Sequence, residues 1–328
     1  MRARLRVALV GASHWHAPRY AEALRARGAL LCGASDTDPV AGESAATRLG
    51  IEFIAPTEAL IERLRPDFAV VLPRHDHAAD EIARVAALRV PMLVEKPMGR
   101  HAAEAERAAA AIEAAGIFAS VCLPNRYMAI WDEVRSLIAA GALGELRHAH
   151  FRTINGPASR YRDSGVGWML EPAASGGGAL RNLGVHGADA VLGLAADQPL
   201  RLLSAYCSRF DANLGIEGFA AASLATANGF HASLEAGYSY ANLQEGGDYE
   251  WRIATSGAYL RESNGRLWVH RRGGSLETRE VDTPHRLYQT MTRAALDAFE
   301  ADAAPPVPVG ACVAAVRLQD RIYAAAGG

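Results

Sequence analysis

The stretch Arg6-Val7-Ala8-Leu9-Val10-Gly11, continued by Ala12-Ser13-His14-Trp15-His16, sets the reading of the fold. A short apolar run stops at a glycine, as a strand buried on both faces and ending in a tight turn would. The same kind of run returns as ALLCGAS (29–35), FAVVLP (68–73), PMLVEKP (91–97) and IFASVCLP (117–124). Helical stretches lie between them, among them PRYAEALRARG (18–28) and AAEAERAAAAIEAAG (102–116), the second stopping at Gly116. Strand–helix alternation predicts parallel strands joined by right-handed crossovers, a doubly wound α/β domain over residues 1–123.

Pro124 marks a change of character. A helical stretch (WDEVRSLIAAG, 131–141) is followed by alternating runs: RHAHFRTI, RLLSAYCSRF, GFAAASLATANG, FHASLEAGYSY, EWRIATSGAYLRES and RLWVHRRGG. Gly and Asn turns separate several of them, which predicts a large, mostly antiparallel sheet with helices on one face. Two helical runs, 287–301 and 311–325, split by APPVPVG, close the reading. The expected fold class is therefore α/β plus α+β: an N-terminal Rossmann-type parallel sheet (1–123) and a C-terminal domain (124–328) on an open-faced sheet. The uncovered face predicts a homodimer or homotetramer.

The 328 residues, half of them hydrophobic, carry 34 basic and 36 acidic side chains, a net charge of −2. That balance argues against a nucleic-acid partner or an anionic membrane surface. No apolar run approaches the ~18 residues of a membrane span. The opening MRARLRVALVGAS is too short in its apolar part for a secretory signal and runs into a glycine turn. Cys32, Cys122, Cys207 and Cys312 form no CxxC pair, so buried free thiols in a reducing, cytoplasmic compartment are expected.

Gly11 stands where a dinucleotide fold places its tight turn, with the pyrophosphate expected on the following helix N-terminus. The fingerprint is degraded: Gly11-x-Ser13-x-x-His16 replaces G-x-G-x-x-G, with His14 and Trp15 between. Asp36 follows the second strand at the spacing of a ribose-binding acid. Its carboxylate would accept the ribose hydroxyls and repel a 2′-phosphate, and no Arg or Lys stands in Ser35-Asp36-Thr37-Asp38, so NAD(H) is preferred over NADP(H). Four histidines near this edge (His14, His16, His75 and His77), with Asp76 between the last two, are read as cofactor neighbours or helix caps rather than a metal site. His148 and His150 alternate on a strand and read as surface or interface residues.

The segment PMLVEKPMG (91–99) delivers Glu95-Lys96-Pro97 to the carboxyl edge of the sheet, with Pro97 fixing the turn and leaving a cis bond open. Here the chain resembles the Gfo/Idh/MocA oxidoreductase family of inositol and sugar dehydrogenases, over essentially its whole length. VLPRHDHAADEIARVAAL (71–88) is similar to the family's strand, Pro and His-initiated helix, with Pro73 and His77 matching. PNRYMAIWDEVRSLIAAGALGELRHAHFR (124–152) is similar to its crossover, with Asn125 and Arg126 matching. GGGALRNLGVHGAD (176–189) matches at Gly176, Gly177, Gly178, His186 and Asp189, with Asn182 where the family has Asp.

The resemblance implies a catalytic group of Lys96, Asn182 and His186. On an α-helix Asn182 and His186 would share a face. It implies a cofactor site of Gly11, Ser13, His14, Trp15, His16, Asp36, Pro73, His77, Glu95, Lys96 and Asn125, and no metal. Substrate would meet Lys96, Arg126, Trp168, Asn182 and His186, with Arg160, Tyr161 and Arg162 in a nearby loop. The implied reaction oxidises a secondary alcohol of a sugar or cyclic polyol. His186 acts as general base, Lys96 stabilises the developing charge, and Glu95 positions the lysine. Two other readings stay open: a redox-neutral NAD-dependent hydrolase or lyase, and a non-catalytic dinucleotide-binding regulator. The degraded glycine loop and Asn182 keep the second alive.

Overall fold

The computed structural model describes residues 4–210, 214–241, 247–284 and 286–327. The chain divides into two compact units. The first takes residues 1–123, 161–176 and 288–313; the second takes 124–160, 177–287 and 314–328.

In the first unit, strands β1 (Arg6–Val10), β2 (Leu30–Ser35), β3 (Phe68–Val71), β4 (Met92–Val94) and β5 (Ala119–Val121) form one sheet in the order β2-β1-β3-β4-β5. Every pairing is parallel. Val7, Leu9, Phe68, Val70, Leu93 and Val94 are fully buried, which is why these strands read as unbroken apolar runs. The chain leaves β1 for β2 on one side and returns to β3 on the other, so the carboxyl ends of β1 and β3 flank the switch point where ligands bind such sheets.

Two later segments complete this unit. Val307 O accepts the Val121 N–H (3.0 Å) at the β5 edge. Phe299 packs with Phe68 and Phe118, and Arg27 on the helix Ala17–Arg27 pairs with Asp297 and Glu300.

The second unit is built on β6 (Leu146–Gly156), β7 (Leu200–Ser208), β8 (Phe219–Thr226), β9 (His231–Ala241), β10 (Asp248–Thr255), β11 (Ala258–Ser263), β12 (Arg266–Arg271) and β13 (Leu276–Glu280). Their order is β13-β12-β11-β10-β6-β9-β8-β7. β6 and β9 pair in parallel and the other neighbours are antiparallel. One face buries Ala149, Phe151, Leu234, Trp251, Ile253 and Leu260. Against it lie the helix Ala129–Ala139 and the helical segment 180–195. Trp131, Phe151 and Trp251 stack there at 4.8–6.3 Å. The opposite face carries His148, His150, Arg152, Glu235, Arg252 and Tyr259, exposed or half-exposed.

Two local readings change. The segment after the glycine triplet is a π-helical turn, Leu180–Gly184, running into an α-helix, Val185–Ala195. The expected i, i+4 face-sharing of Asn182 and His186 therefore does not follow from α-helical geometry. β13 (LETRE) carries no alternating apolar side, since all five residues are exposed, and the sequence pattern passes over it.

Candidate active site

In the first unit the carboxyl edge of the sheet is organised by the loop 11–16. Gly11 has φ +91°, and a Cβ there would lie 2.4 Å from Leu72 O and 2.8 Å from Pro73 N, so only glycine lets this turn approach β3 and Pro73. Its N–H and that of Ala12 bond to Ser35 O at 2.9 and 3.1 Å. Asp36, at the end of β2, accepts the Ser13 N–H on Oδ2 (2.7 Å) and the Asp38 N–H on Oδ1 (2.9 Å). The ribose-binding acid of the sequence reading thus also fastens two loops. His16 ends the loop as N-cap of the helix Ala17–Arg27, with no side-chain capping bond.

Glu95 and Lys96 follow β4 and are both buried, and the Lys96–Pro97 peptide is cis. Glu95 Oε2 accepts the Tyr20 hydroxyl (2.5 Å) and lies 3.4 Å from His16 Nδ1. Tyr288 places its hydroxyl 2.9 Å from the same His16 nitrogen. Burial, and after it Cys122 and Glu95, push the Tyr20 phenol well above its usual range, so it stays a donor to Glu95. Tyr288 is pushed up by burial and by Glu95.

His14 is buried and stacks on Trp15 at 3.8 Å. Burial, and after it His16, hold its imidazole well below the usual histidine range, so it is neutral near pH 7. Trp15 in turn meets Tyr161 (5.6 Å) and Trp168 (5.9 Å), and Trp168 meets His75 edge-on (5.0 Å). Trp168 therefore walls the glycine loop. His75, at the start of the helix His75–Ala87, is buried with Nδ1 2.9 Å from Ser175 O. His77, which the resemblance singles out, is the exposed member of this turn, 3.9 Å from Asp76. Among the described residues no group of three or more His, Cys, Asp or Glu is placed to hold a metal ion.

The second unit carries the other expected residues. Asn125 is buried in a short 3-10 turn, Pro124–Tyr127. Arg126 makes a two-pronged bond to Asp189 at 2.6 and 2.7 Å, so the guanidinium expected on substrate holds the helix bearing His186. Asn182 and His186 are buried, and Asn182 donates its amide to the Tyr238 hydroxyl at 2.9 Å. Glu217 accepts the N–H groups of Gly178 (2.8 Å) and Leu180 (2.9 Å) and the Tyr323 hydroxyl (2.8 Å). Arg181 is buried against Gln319, Asp320 and the Tyr323 ring. Arg160 bonds to Asn155.

Sequence reasoning passes over Tyr20, Tyr288, Tyr238 and Glu217. Glu217 has a signal: a lone acid between Ile216 and Gly218, just before the apolar run of β8. The tyrosines have none, because their partners lie 56–272 residues away.

Residues 5–122 match the model of an oxidoreductase family with an NAD-binding Rossmann fold, and residues 131–261 that of a GFO/IDH/MocA C-terminal domain. The chain is similar to the rhizopine catabolism protein MocA of Rhizobium meliloti, 29% identical over 206 residues. That match spans 60% of this chain and 59% of the relative, about three fifths of each. Among solved structures it is similar to levoglucosan dehydrogenase in complex with NADH and levoglucosan: TM-score 0.87, 15% identity, 99% of this chain and 98% of that one. It is also similar to an inositol dehydrogenase homologue from Azotobacter vinelandii complexed with NAD+: TM-score 0.86, 18% identity, 100% and 96% coverage. At these identities the structural likeness speaks for the fold.

Proposed function

The chain belongs to the Gfo/Idh/MocA oxidoreductase family, and from that premise we propose that it transfers a hydride between a secondary alcohol of a sugar or cyclic polyol and the nicotinamide of NAD. The observation that carries the reading is Lys96, 3% exposed at the carboxyl end of β4, with the buried neutral His14 as an electrostatic neighbour. The first unit fits a dinucleotide: a Cβ at Gly11 would foul β3, and His14 Nε2 is a buried atom with no partner among the described residues.

Gly11, Ser13, His14, Trp15, His16, Asp36, Pro73, His77 and Asn125 would hold the cofactor. When bound, the nicotinamide accepts the hydride. His186 takes the hydroxyl proton, since an imidazole works near neutral pH. Lys96 donates to the same oxygen and stabilises charge as it develops. Asn182, held by Tyr238, orients a substrate hydroxyl or the imidazole; unlike an Asp it carries no charge. Trp168 walls the pocket and Glu95 positions Lys96. Asp36 favours NAD(H) because its carboxylate would repel a 2′-phosphate.

The open face of the second unit's sheet supports a homodimer or homotetramer, and a monomer in solution scattering at micromolar concentration would remove that part of the reading. Among the described residues no helix is long and apolar enough to cross a membrane. The reading places the enzyme in the reducing cytoplasm, in keeping with four free cysteines.

The test is NADH formation over a panel of polyols, aldoses and sugar acids, with NAD and NADP in parallel. Turnover with NAD is expected, and Lys96→Ala and His186→Ala should each lower kcat about 10²–10³-fold. Turnover that both substitutions leave intact would sink the assignment of roles. NADH binding without turnover on any substrate would favour a regulator, the reading that Asn182 also suits.

A further inference from the structure

The loop 11–16 uses most of its own donors. Gly11 and Ala12 N–H go to Ser35 O, Ser13 N–H to Asp36, His14 N–H to Gly11 O, Ala17 N–H to His14 O and Arg19 N–H to His16 O. Pro18 has no N–H. The turn that should open amide groups toward a pyrophosphate has largely closed them on itself. One donor of a different kind stands out. The His16 N–H donates to His14 Nδ1 at 3.1 Å, which fixes that nitrogen as an acceptor and puts the proton of the neutral ring on Nε2. His14 is 4% exposed, and Nε2 has no partner among the described residues. A buried N–H without an acceptor costs stability unless something supplies one.

The ring lies beside residues that follow two of the strands. His14 has Glu95, Lys96 and His75 as electrostatic neighbours, and these follow β4 and β3. Asp36 follows β2, on the other side of β1. A dinucleotide with its adenosine ribose at Asp36 would lay its nicotinamide half on the β3–β4 side.

We propose that His14, held as its Nε2–H tautomer, is a hydrogen-bond donor to an oxygen of the nicotinamide–ribose half of the bound dinucleotide, in place of amides the loop has closed. This rests on the NAD reading above. His14 is then a binding residue that tells one half of the cofactor from the other.

The test is calorimetric binding of NADH and of ADP, which keeps the adenosine and both phosphates but lacks the nicotinamide half. His14→Leu removes the donor and should weaken NADH about tenfold while ADP changes less than about twofold. Unchanged ADP binding also reports that the variant is folded. His14→Gln, which restores an N–H at similar reach, should recover most of the NADH affinity. In the wild-type protein labelled with 15N-histidine, the His14 Nε2 signal should be that of a protonated nitrogen and shift with NADH but not with ADP. That measurement stands even if His14→Leu does not fold. Unchanged NADH affinity in His14→Leu, equal losses for NADH and ADP, or a shift of the Nε2 signal with ADP would each overturn the inference while leaving the NAD reading in place. A wild-type protein that binds neither ligand would overturn the NAD reading and this inference with it.

Discussion

Two glycine turns in this chain open helical segments, and they satisfy the exposed amides of a helix start in different ways. At Gly11 the N–H groups close on neighbouring main-chain oxygens, on Asp36 and on an imidazole. At the second turn the N–H groups of Gly178 and Leu180 close on a single buried carboxylate, Glu217, which also takes the Tyr323 hydroxyl. A Cβ at Gly178 would lie 2.0 Å from Glu217 O, so the glycine is there to admit the peptide that brings the acid. The second turn thus supplies its own anion where a helix start commonly takes one from a ligand. A glycine triplet before a helix looks like a phosphate loop in sequence, and here it is an internal cap. The difference lies in whether the donors converge on one carboxylate or are spread over several acceptors, of which Asp36 is one.

The sharpest way to break this comparison is Glu217→Ala. It leaves two buried N–H groups and a buried hydroxyl without their acceptor, and should cost about 3–5 kcal/mol of unfolding free energy in a denaturant titration. A cost below about 1 kcal/mol would mean the turn does not depend on the acid.

A second buried glutamate sharpens the point from the other side. Glu262 on β11 accepts the Ile130 N–H at 2.7 Å but, among the described residues, has only a distant Tyr249 hydroxyl, 3.5 Å away, as further hydrogen-bond support. Burial raises its pKa to about 7, against the lowering effect of those bonds. A carboxyl raised on folding gives stability that is fully present below its unfolded pKa and is lost as pH rises through the folded value. The protein should therefore lose up to about 3 kcal/mol between about pH 4.5 and 8 through this group. Glu262→Gln should remove that slope, matching wild type near pH 4.5 and exceeding it at pH 8. Parallel stability–pH curves for the two proteins would show that Glu262 is not the group responsible. The smallest effect expected is on the first turn itself, where His14→Leu should change NADH affinity about tenfold and stability little.

Much of the first sheet was legible because strands buried on both faces leave continuous apolar runs, from RVALV to ASV. The strand-end placement of the candidate residues was legible for the same reason: once β1, β2 and β4 are placed, Gly11, Asp36 and Lys96 fall at their carboxyl ends. What packs there from afar was not. Tyr288 and the segment 161–176 join the first unit through contacts that leave no period in the chain, such as Trp168 on Trp15. Which histidine of His75-Asp76-His77 turns inward depends on where the helix starts, and a shift of two residues exchanges them. The parallel pairing of β6 with β9 was equally silent, since an alternating strand reads the same for either direction of its neighbour.

Val307 carries a consequence in time rather than in space. Its carbonyl meets Ser120 and Val121 at the outer edge of the first sheet, 187 residues further along the chain than Ser120. On the ribosome, at about 5–20 residues per second, that edge waits roughly 10–40 s for its partner. Through that interval β5 is an open border at which another nascent chain could pair. Its strand is three residues long, Ala119–Val121, which limits the template it can offer while the rest of the chain is made.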